Sequence, residues 1–119
     1  MPDYWCYTKL DLRAVFSKFC SVWPSTDFID DAENEWEWIE GKTNDGSFGF
    51  NISRRHDLGE PMLSEPLILK ISIYNLNIHA EEIGASLLHL LSVDMYMGEI
   101  KYIDGNEYLY NEISKFTTA

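Results

Sequence analysis

The sequence has few residues of the kinds that build metal centres and disulfide scaffolds. Of its 119 residues only two are cysteines and three are histidines. Cys6 and Cys20 lie too far apart for a CxxC pattern, and two cysteines are too few for a disulfide scaffold or a cysteine-based zinc site. No HExxH or DxDxDG pattern is present. We therefore predict no metal site, no cofactor and two buried thiols, with a disulfide between Cys6 and Cys20 as the less favoured alternative.

Positive charge is also scarce, because 9 lysines and arginines stand against 20 acidic residues, for a net charge of -11. Such a field repels phosphate backbones and anionic membrane surfaces, so we expect neither nucleic acid nor membrane as a partner. The chain has no apolar run of the roughly 18–20 residues that span a bilayer. Its first ten residues also lack the basic start and apolar run of a signal peptide. These features predict a cytoplasmic protein.

What the sequence does have is enough apolar material for one packed core. Hydrophobic residues make up 45% of the chain and aromatic residues 14%. The length is that of one domain, which we place at residues 1–119.

Hydrophobic spacing predicts two helices and six strands. One helix follows Asp11, with apolar residues at steps of three and four as far as Trp23, and the other covers 80–92. Period-two alternation and turn residues predict strands at 4–8, 35–39, 48–52, 67–73, 99–103 and around 108–110. The order β-α-β-β-β-α-β-β indicates an α+β fold with two helices packed on a largely antiparallel sheet.

The residues that could carry catalysis are few and scattered. The three histidines, at positions 56, 79 and 89, are isolated from one another, and no glycine-rich phosphate loop is present. Arg54, Arg55 and His56 are consecutive, which fits either a small anion site or, more commonly, internal ion pairs. We predict no catalytic residues and no enzymatic activity.

Acidic residues are concentrated in one segment. Eight acidic residues and one lysine lie between Asp27 and Asp45, so this segment holds seven of the 11 excess negative charges. One interpretation is a solvated loop and edge strand whose charges resist pairing with other sheets. The other is a surface for a cationic protein, in which charge speeds association and an aromatic residue supplies the anchor.

Two tryptophans share one face of the strand within this segment. If that face is buried, Trp36 and Trp38 enter the core and Glu35 and Glu37 point outward; an exposed tryptophan would favour an interface. The residues predicted to bind a partner are Asp30, Asp31, Glu33, Glu35, Trp36, Glu37 and Glu40.

The whole chain resembles the small acidic immunity proteins of bacterial contact-dependent growth inhibition and related polymorphic toxin systems. The resemblance rests on size, acidity, the α+β order, the opening strand Tyr4-Trp5-Cys6-Tyr7-Thr8 with its following helix, and the closing hairpin at 98–108. It implies that the chain neutralises a cognate toxin C-terminal domain, most often a nuclease, by covering its cationic substrate cleft. No site residue is carried over from the family.

Three alternatives remain at this point. The chain could be an acidic nucleic-acid mimic that inhibits a host or phage protein, or a small-ligand-binding domain built around Arg54 to His56. The exposed strand near 107–110 could instead extend a partner's sheet through backbone hydrogen bonds. The oligomeric state is left open.

Overall fold

The computed structural model describes residues 3–33, 36–55, 67–74, 80–103 and 106–117, with side chains described outside 55, 67, 99–103 and 106–113. Two helices and seven strands follow one another along the chain. They are β1 (Asp3–Thr8), α1 (Leu12–Val22), β2 (Asp27–Glu33), β3 (Trp36–Lys42), β4 (Gly49–Arg55), β5 (Leu67–Tyr74), α2 (Ala80–Leu91), β6 (Met95–Ile103) and β7 (Asn106–Phe116).

Both helices have ends that local chemistry explains. Asp11 caps α1, with its Oδ1 accepting a hydrogen bond from the backbone N–H of Ala14 at 2.7 Å. Helix α1 ends before Pro24, as a proline in that position requires. Helix α2 carries Glu81 and Glu82 in its first turn, where the helix dipole favours negative charge.

The seven strands form one sheet in the order β2-β3-β4-β5-β1-β6-β7, and every neighbouring pair is antiparallel. The first strand of the chain thus lies inside the sheet, between β5 and β6. Strands β2 and β7 lie at the two edges.

The two faces of the sheet differ in what packs on them. We call the face that packs on α1 and α2 the helix face, and the other the opposite face. A register row of apolar residues crosses the helix face and is buried in the core: Ile39, Ile52, Ile71, Tyr4 and Met97. Val15 and Phe19 of α1 and Ile83 and Leu87 of α2 cover it. Because alternate residues of a strand point to opposite faces, this row fixes the direction of every neighbouring side chain.

The predicted α+β fold is confirmed, including the order of its helices and strands. The structure adds the strand β2 in the acidic segment after α1. Cys6 and Cys20 are free, and Cys6 is buried while Cys20 is only partly so. Neither of the two helices among the described residues is long and apolar enough to cross a bilayer.

Candidate functional site

Strand β2 is an acidic edge strand that is exposed along its whole length. All seven of its residues, Asp27 to Glu33, are exposed. Two of its carboxylates have nearby cations: Asp30 forms an ion pair with Arg13 of α1 at 2.5 Å, and Asp27 lies 3.6 Å from Lys42. Both pairs are largely solvated, so they contribute little to stability and leave the strand's negative field in place.

The pairing of β2 with β3 divides the acidic residues between the two faces of the sheet. Asp31 pairs with Trp38 and Glu33 with Trp36, so these carboxylates lie on the opposite face beside the two indoles. Asp30 pairs with Ile39, which is 1% exposed, and therefore lies on the helix face. Glu37 belongs to the helix face as well, and Glu40 to the opposite face. The predicted partner-binding residues thus do not form one surface.

Trp36 and Trp38 line a pocket on the opposite face. The pocket has a volume of about 310 Å³, and among the described side chains Asn51 and Ser53 of β4 also line it. Both tryptophans are half-buried. The arrangement in which they enter the core is therefore wrong, since Ile39, the residue after Trp38, takes the core position.

A tight turn fixes the register of the hairpin that carries the pocket. The Asp45 carboxylate accepts hydrogen bonds from the Ser47 N–H and the Thr43 hydroxyl, both at 2.9 Å. These hydrogen bonds lower the pKa of Asp45, and the bond from the Ser47 backbone N–H has the largest effect. Gly46 supplies the positive φ of 75° that the turn requires. With this register set, Trp38 faces Ser53 and Glu40 faces Asn51.

Glu40 holds the floor of the pocket in place. Its Oε2 accepts a hydrogen bond of 3.2 Å from Nδ2 of Asn51. With the amide nitrogen engaged by Glu40, the amide oxygen is the atom of Asn51 that would accept a hydrogen bond from a ligand. The pocket therefore combines two half-buried tryptophans with polar residues of β4. Charges of both signs lie next to it in register: Asp31, Glu33 and Glu40 on β2 and β3, and Arg55 and Lys70 on β4 and β5.

Arg54 is a buried, positively charged residue on the helix face. Its side chain is 5% exposed, its Nη2 donates to the carbonyl of Thr8, and it pairs in register with Glu37. Burial lowers the pKa of Arg54, and the Glu37 charge acts in the other direction. Arg54 is thus an internal cation that bonds to a backbone carbonyl and lies in register with Glu37, and it is not exposed as an anion site would need. The Arg55 side chain and His56 lie outside the description.

The far end of the opposite face carries cations and further aromatic rings. Trp5 stacks on Tyr96 with ring centroids 5.7 Å apart, and Lys115 Nζ lies 5.2 Å from the centre of the Tyr96 ring. Lys70 belongs to the same register row, between Ser53 and Trp5. Charges of both signs therefore occur along this face: Lys42 lies beside the carboxylates of β2 and β3, and Asp3 of β1 lies between Lys70 of β5 and Lys115 of β7.

The structure brings together four of the seven predicted partner-binding residues on the opposite face, namely Asp31, Glu33, Trp36 and Glu40. Glu35 lies outside the described residues, as do His56 and His79. His89 is exposed on α2. The sequence prediction did not include Trp38, Asn51 and Ser53, although the two-residue spacing of Trp38 from Trp36 indicates a shared face.

In the described part of the chain, no three histidine, cysteine, aspartate or glutamate side chains are grouped as a metal site would need. Compared with known proteins, the chain matches no family model, no curated protein and no solved structure.

Proposed function

We propose that this chain is an immunity protein that binds a cognate bacterial toxin domain and covers its cationic substrate cleft. The observation that carries the proposal is the exposed acidic strand β2 beside a half-buried pair of tryptophans. Toxins that cleave nucleic acid need a basic cleft to hold phosphates, so an acidic surface can compete for the same cations. Complementary charge speeds the encounter, and the indoles supply area that loses water on binding.

The division of acidic residues between two faces refines which of them would touch the toxin. Asp31, Glu33 and Glu40 share the opposite face with Trp36 and Trp38, and we assign the contacts to these residues. Asp30 and Glu37 are on the helix face, beside Arg13 and Arg54. We expect them to add to the negative field without making contacts.

Two observations favour this proposal over the alternatives. A nucleic-acid mimic needs negative charge repeated along an elongated surface, whereas this molecule measures 37 × 30 × 27 Å and has its described acidic cluster at one edge. A small-ligand site around Arg54 would need a guanidinium that reaches solvent, and that of Arg54 is buried. The edge position of β7 keeps strand addition at 107–110 as a second way to bind, with the side chains there outside the description.

The direct test is rescue from a toxin. We expect this chain, coexpressed with the toxin C-terminal domain encoded immediately upstream of its gene, to restore growth. The purified pair should form a 1:1 complex with a Kd on the order of nanomolar. A toxin that still kills, together with no complex by calorimetry, would contradict the proposal.

The face assignment predicts which charges control the association rate. The double variant D31N/E33Q and the control E81Q/E82Q remove the same number of charges, the control from the exposed start of α2. In stopped-flow mixing at low salt, we expect D31N/E33Q to slow association by about tenfold and the control by less than about twofold. Equal rates for the two variants would refute the assignment to β2 and leave rescue unaffected.

A further inference from the structure

We infer that the outer edge of β2 takes up a basic strand of the protein partner, which pairs antiparallel with β2 and extends the sheet. The partner comes from the proposed function, and the backbone edge that holds it is what is added here. Strand β2 is held in place and yet uncovered, because all seven of its residues pair with β3 and all seven are exposed. No described strand pairs with its outer side.

The turn between β3 and β4 shows which backbone groups of β2 point away from the sheet. The N–H of Thr43 donates to the carbonyl of Phe48 at 3.0 Å, so these two residues form a hydrogen-bonded pair. Hydrogen-bonded and non-hydrogen-bonded pairs alternate along an antiparallel ladder. Positions 37, 39 and 41 of β3 therefore bond to β4, and positions 36, 38, 40 and 42 bond to β2. In β2 this directs the backbone N–H and C=O groups of Phe28, Asp30 and Ala32 outward.

The side chain of Asp31 agrees with this direction and limits the site. Its Oδ1 accepts a 2.8 Å hydrogen bond from the N–H of Ala32, as expected for a group on the outer edge. With that N–H engaged, a partner meets the N–H and C=O groups of Phe28 and Asp30 and the carbonyl of Ala32. An antiparallel strand can exchange both N–H···O bonds with Phe28 and with Asp30, in the arrangement that already joins β2 to β3.

The charges of β2 decide which strand can occupy this edge. A second copy of the chain would place β2 against β2. Both antiparallel registers that engage Phe28 and Asp30 set Asp27 opposite an acidic residue, either Asp31 or Glu33, and like charges directly opposite one another are destabilising. The same carboxylates favour a strand with lysine or arginine at the facing positions. The edge therefore disfavours a copy of itself and favours a basic strand.

The cations nearest to β2 leave its outer edge open. Lys42 lies on β3, Arg55 on β4 and Lys70 on β5, so all three are further inside the sheet than β2. Arg13 of α1 pairs with the Asp30 side chain on the helix face, while the Asp30 backbone groups point outward. A strand added at the edge meets β2 before it meets any of these cations.

The order of side chains on β2 specifies the partner strand. The described ion pairs of β2 involve Asp27 and Asp30, so Asp31 and Glu33 are the carboxylates that partner cations would meet. Ile29 lies on the same face and is 56% exposed. The matching strand has basic residues opposite Asp31 and Glu33 and an apolar residue opposite Ile29.

The test uses the isolated protein and the hexapeptide Lys-Thr-Lys-Thr-Val-Thr with blocked ends. Paired antiparallel, its lysines face Glu33 and Asp31 and its valine faces Ile29. In ¹H–¹⁵N NMR titrations at low salt we expect saturable shifts of β2 amides, largest at Phe28 and Asp30, with a Kd on the order of 1 mM. The same peptide with glutamate in place of lysine should bind at least about tenfold more weakly.

N-methylated peptides separate strand pairing from attraction between charges. Methyl groups on the nitrogens of the second and third threonines remove the N–H groups that face Asp30 and Phe28, and should weaken binding at least about tenfold. Methyl groups on the nitrogens of the second lysine and the valine lie on the other edge of the peptide and should change the Kd by less than about threefold. Equal Kd values for the two methylated peptides would overturn the inference, because charge alone would then hold the peptide.

D30P and D30N are the matched variants of the protein. Both remove the charge and the ion pair with Arg13, and only D30P removes the outward N–H. Proline is tolerated on an edge strand where the N–H faces solvent. D30P should bind the hexapeptide at least about fivefold more weakly than D30N, and equal Kd values would contradict strand pairing. If D30P loses the β2 signals, the methylated peptides still decide, because they are measured on the unsubstituted chain.

The remaining outcomes distinguish the occupants of the edge. A dimer of the isolated protein in which the β2 amides are already protected would show that a second copy takes the edge, and would overturn the inference. Shifts at β7 amides in place of β2 would put the added strand at the other edge and would also overturn it. If the hexapeptide binds as expected and no toxin complex forms, the proposed function fails and the basic-strand site stands. If the toxin binds and the two methylated peptides are equal, the function stands and the strand site fails.

Discussion

Two buried side chains of strand β1, the Tyr4 hydroxyl and the Cys6 thiol, stay protonated in the folded protein. The Tyr4 hydroxyl donates a 2.7 Å hydrogen bond to the Ala80 carbonyl at the start of α2. Burial raises the pKa of Tyr4 from 10.0 to about 12, and the Glu81 charge adds to this. Burial also raises the pKa of Cys6, from 9.0 to about 12, against the opposing effect of Arg54. The folded state therefore keeps both groups neutral.

These shifts predict that stability falls in alkaline solution. A group whose pKa is higher in the folded state than in the unfolded state contributes its full stabilisation at pH values below the unfolded-state pKa. That contribution is lost as the pH rises through the folded-state pKa. For Cys6 the window runs from about 9 to about 12. Between pH 8 and pH 10 the free energy of unfolding should fall by roughly 1 kcal/mol through this thiol.

Urea unfolding at pH 8, 9 and 10 measures that loss, and the variant C6A is its matched control. C6A should lower stability at every pH, because it removes a buried side chain, but it should show a flatter decline from pH 8 to pH 10. Parallel declines in the two proteins would show that Cys6 ionises as easily when folded as when unfolded.

At the scale of elements, one glycine allows the edge strand β2 to pack against helix α1. Phe28 of β2 pairs with Gly41 of β3 and packs on Phe16 of α1, with ring centroids 4.6 Å apart. A Cβ at Gly41 would lie 2.7 Å from Cα and Cβ of Phe28 and would overlap the carbonyl oxygen of Asp27. Gly41 therefore lets β2 approach β3 closely enough to bring its carboxylates beside the tryptophans.

The variant G41A should loosen β2 while leaving the rest of the sheet folded. The added methyl group would overlap the backbone of β2, and overpacking of this kind costs about 1–3 kcal/mol. Hydrogen exchange should show faster exchange of β2 amides, with little change in β1 or β5. G49A is the control, since a Cβ there meets atoms at 3.5 Å or more. Equal protection of β2 in the two variants would contradict this account.

The sequence predicts those helices and turns whose residue pattern depends only on neighbouring residues in the chain. Apolar residues at steps of three and four identify α1 and α2, and Asn44-Asp45-Gly46 identifies the turn of the β3–β4 hairpin. Strand β2 has no such pattern, because all seven of its residues are exposed and β3 is its one partner among the described strands. Its dense charge is typical of a loop, and only pairing with β3 makes it a strand.

The direction of the tryptophans also depends on distant residues. Period-two alternation shows that Trp36 and Trp38 share a face but not which face is buried. Ile39 pairs with Ile52, and that row continues through Ile71 to Tyr4, all of them buried. Register with three other strands thus places the smaller Ile39 in the core and both indoles on the opposite face, where they form the pocket.

At the scale of the whole molecule, the net charge of -11 has opposite consequences for folding and for binding. Concentrated negative charge repels itself in the folded state, which lowers stability, and attracts a cationic partner, which speeds association. The Debye length is about 30 Å at 0.01 M salt, similar to the 27–37 Å dimensions of the molecule, so the repulsion acts across the whole fold.

Salt should therefore stabilise the fold and slow association in the same range of concentration. From about 0.01 M to 0.5 M NaCl we expect stability to rise by about 1 kcal/mol and the Tm by roughly 3–6 °C, as measured by calorimetry. Over that range the association rate with the toxin domain should fall by at least about tenfold. The described ion pairs, Arg13–Asp30 and Asp27–Lys42, are exposed, so their screening costs little. A Tm that falls with salt would mean that attraction between charges in the folded protein outweighs their repulsion. The acidic segment would then stabilise the fold through ion pairs, and its charge would not be left uncompensated for a partner to bind.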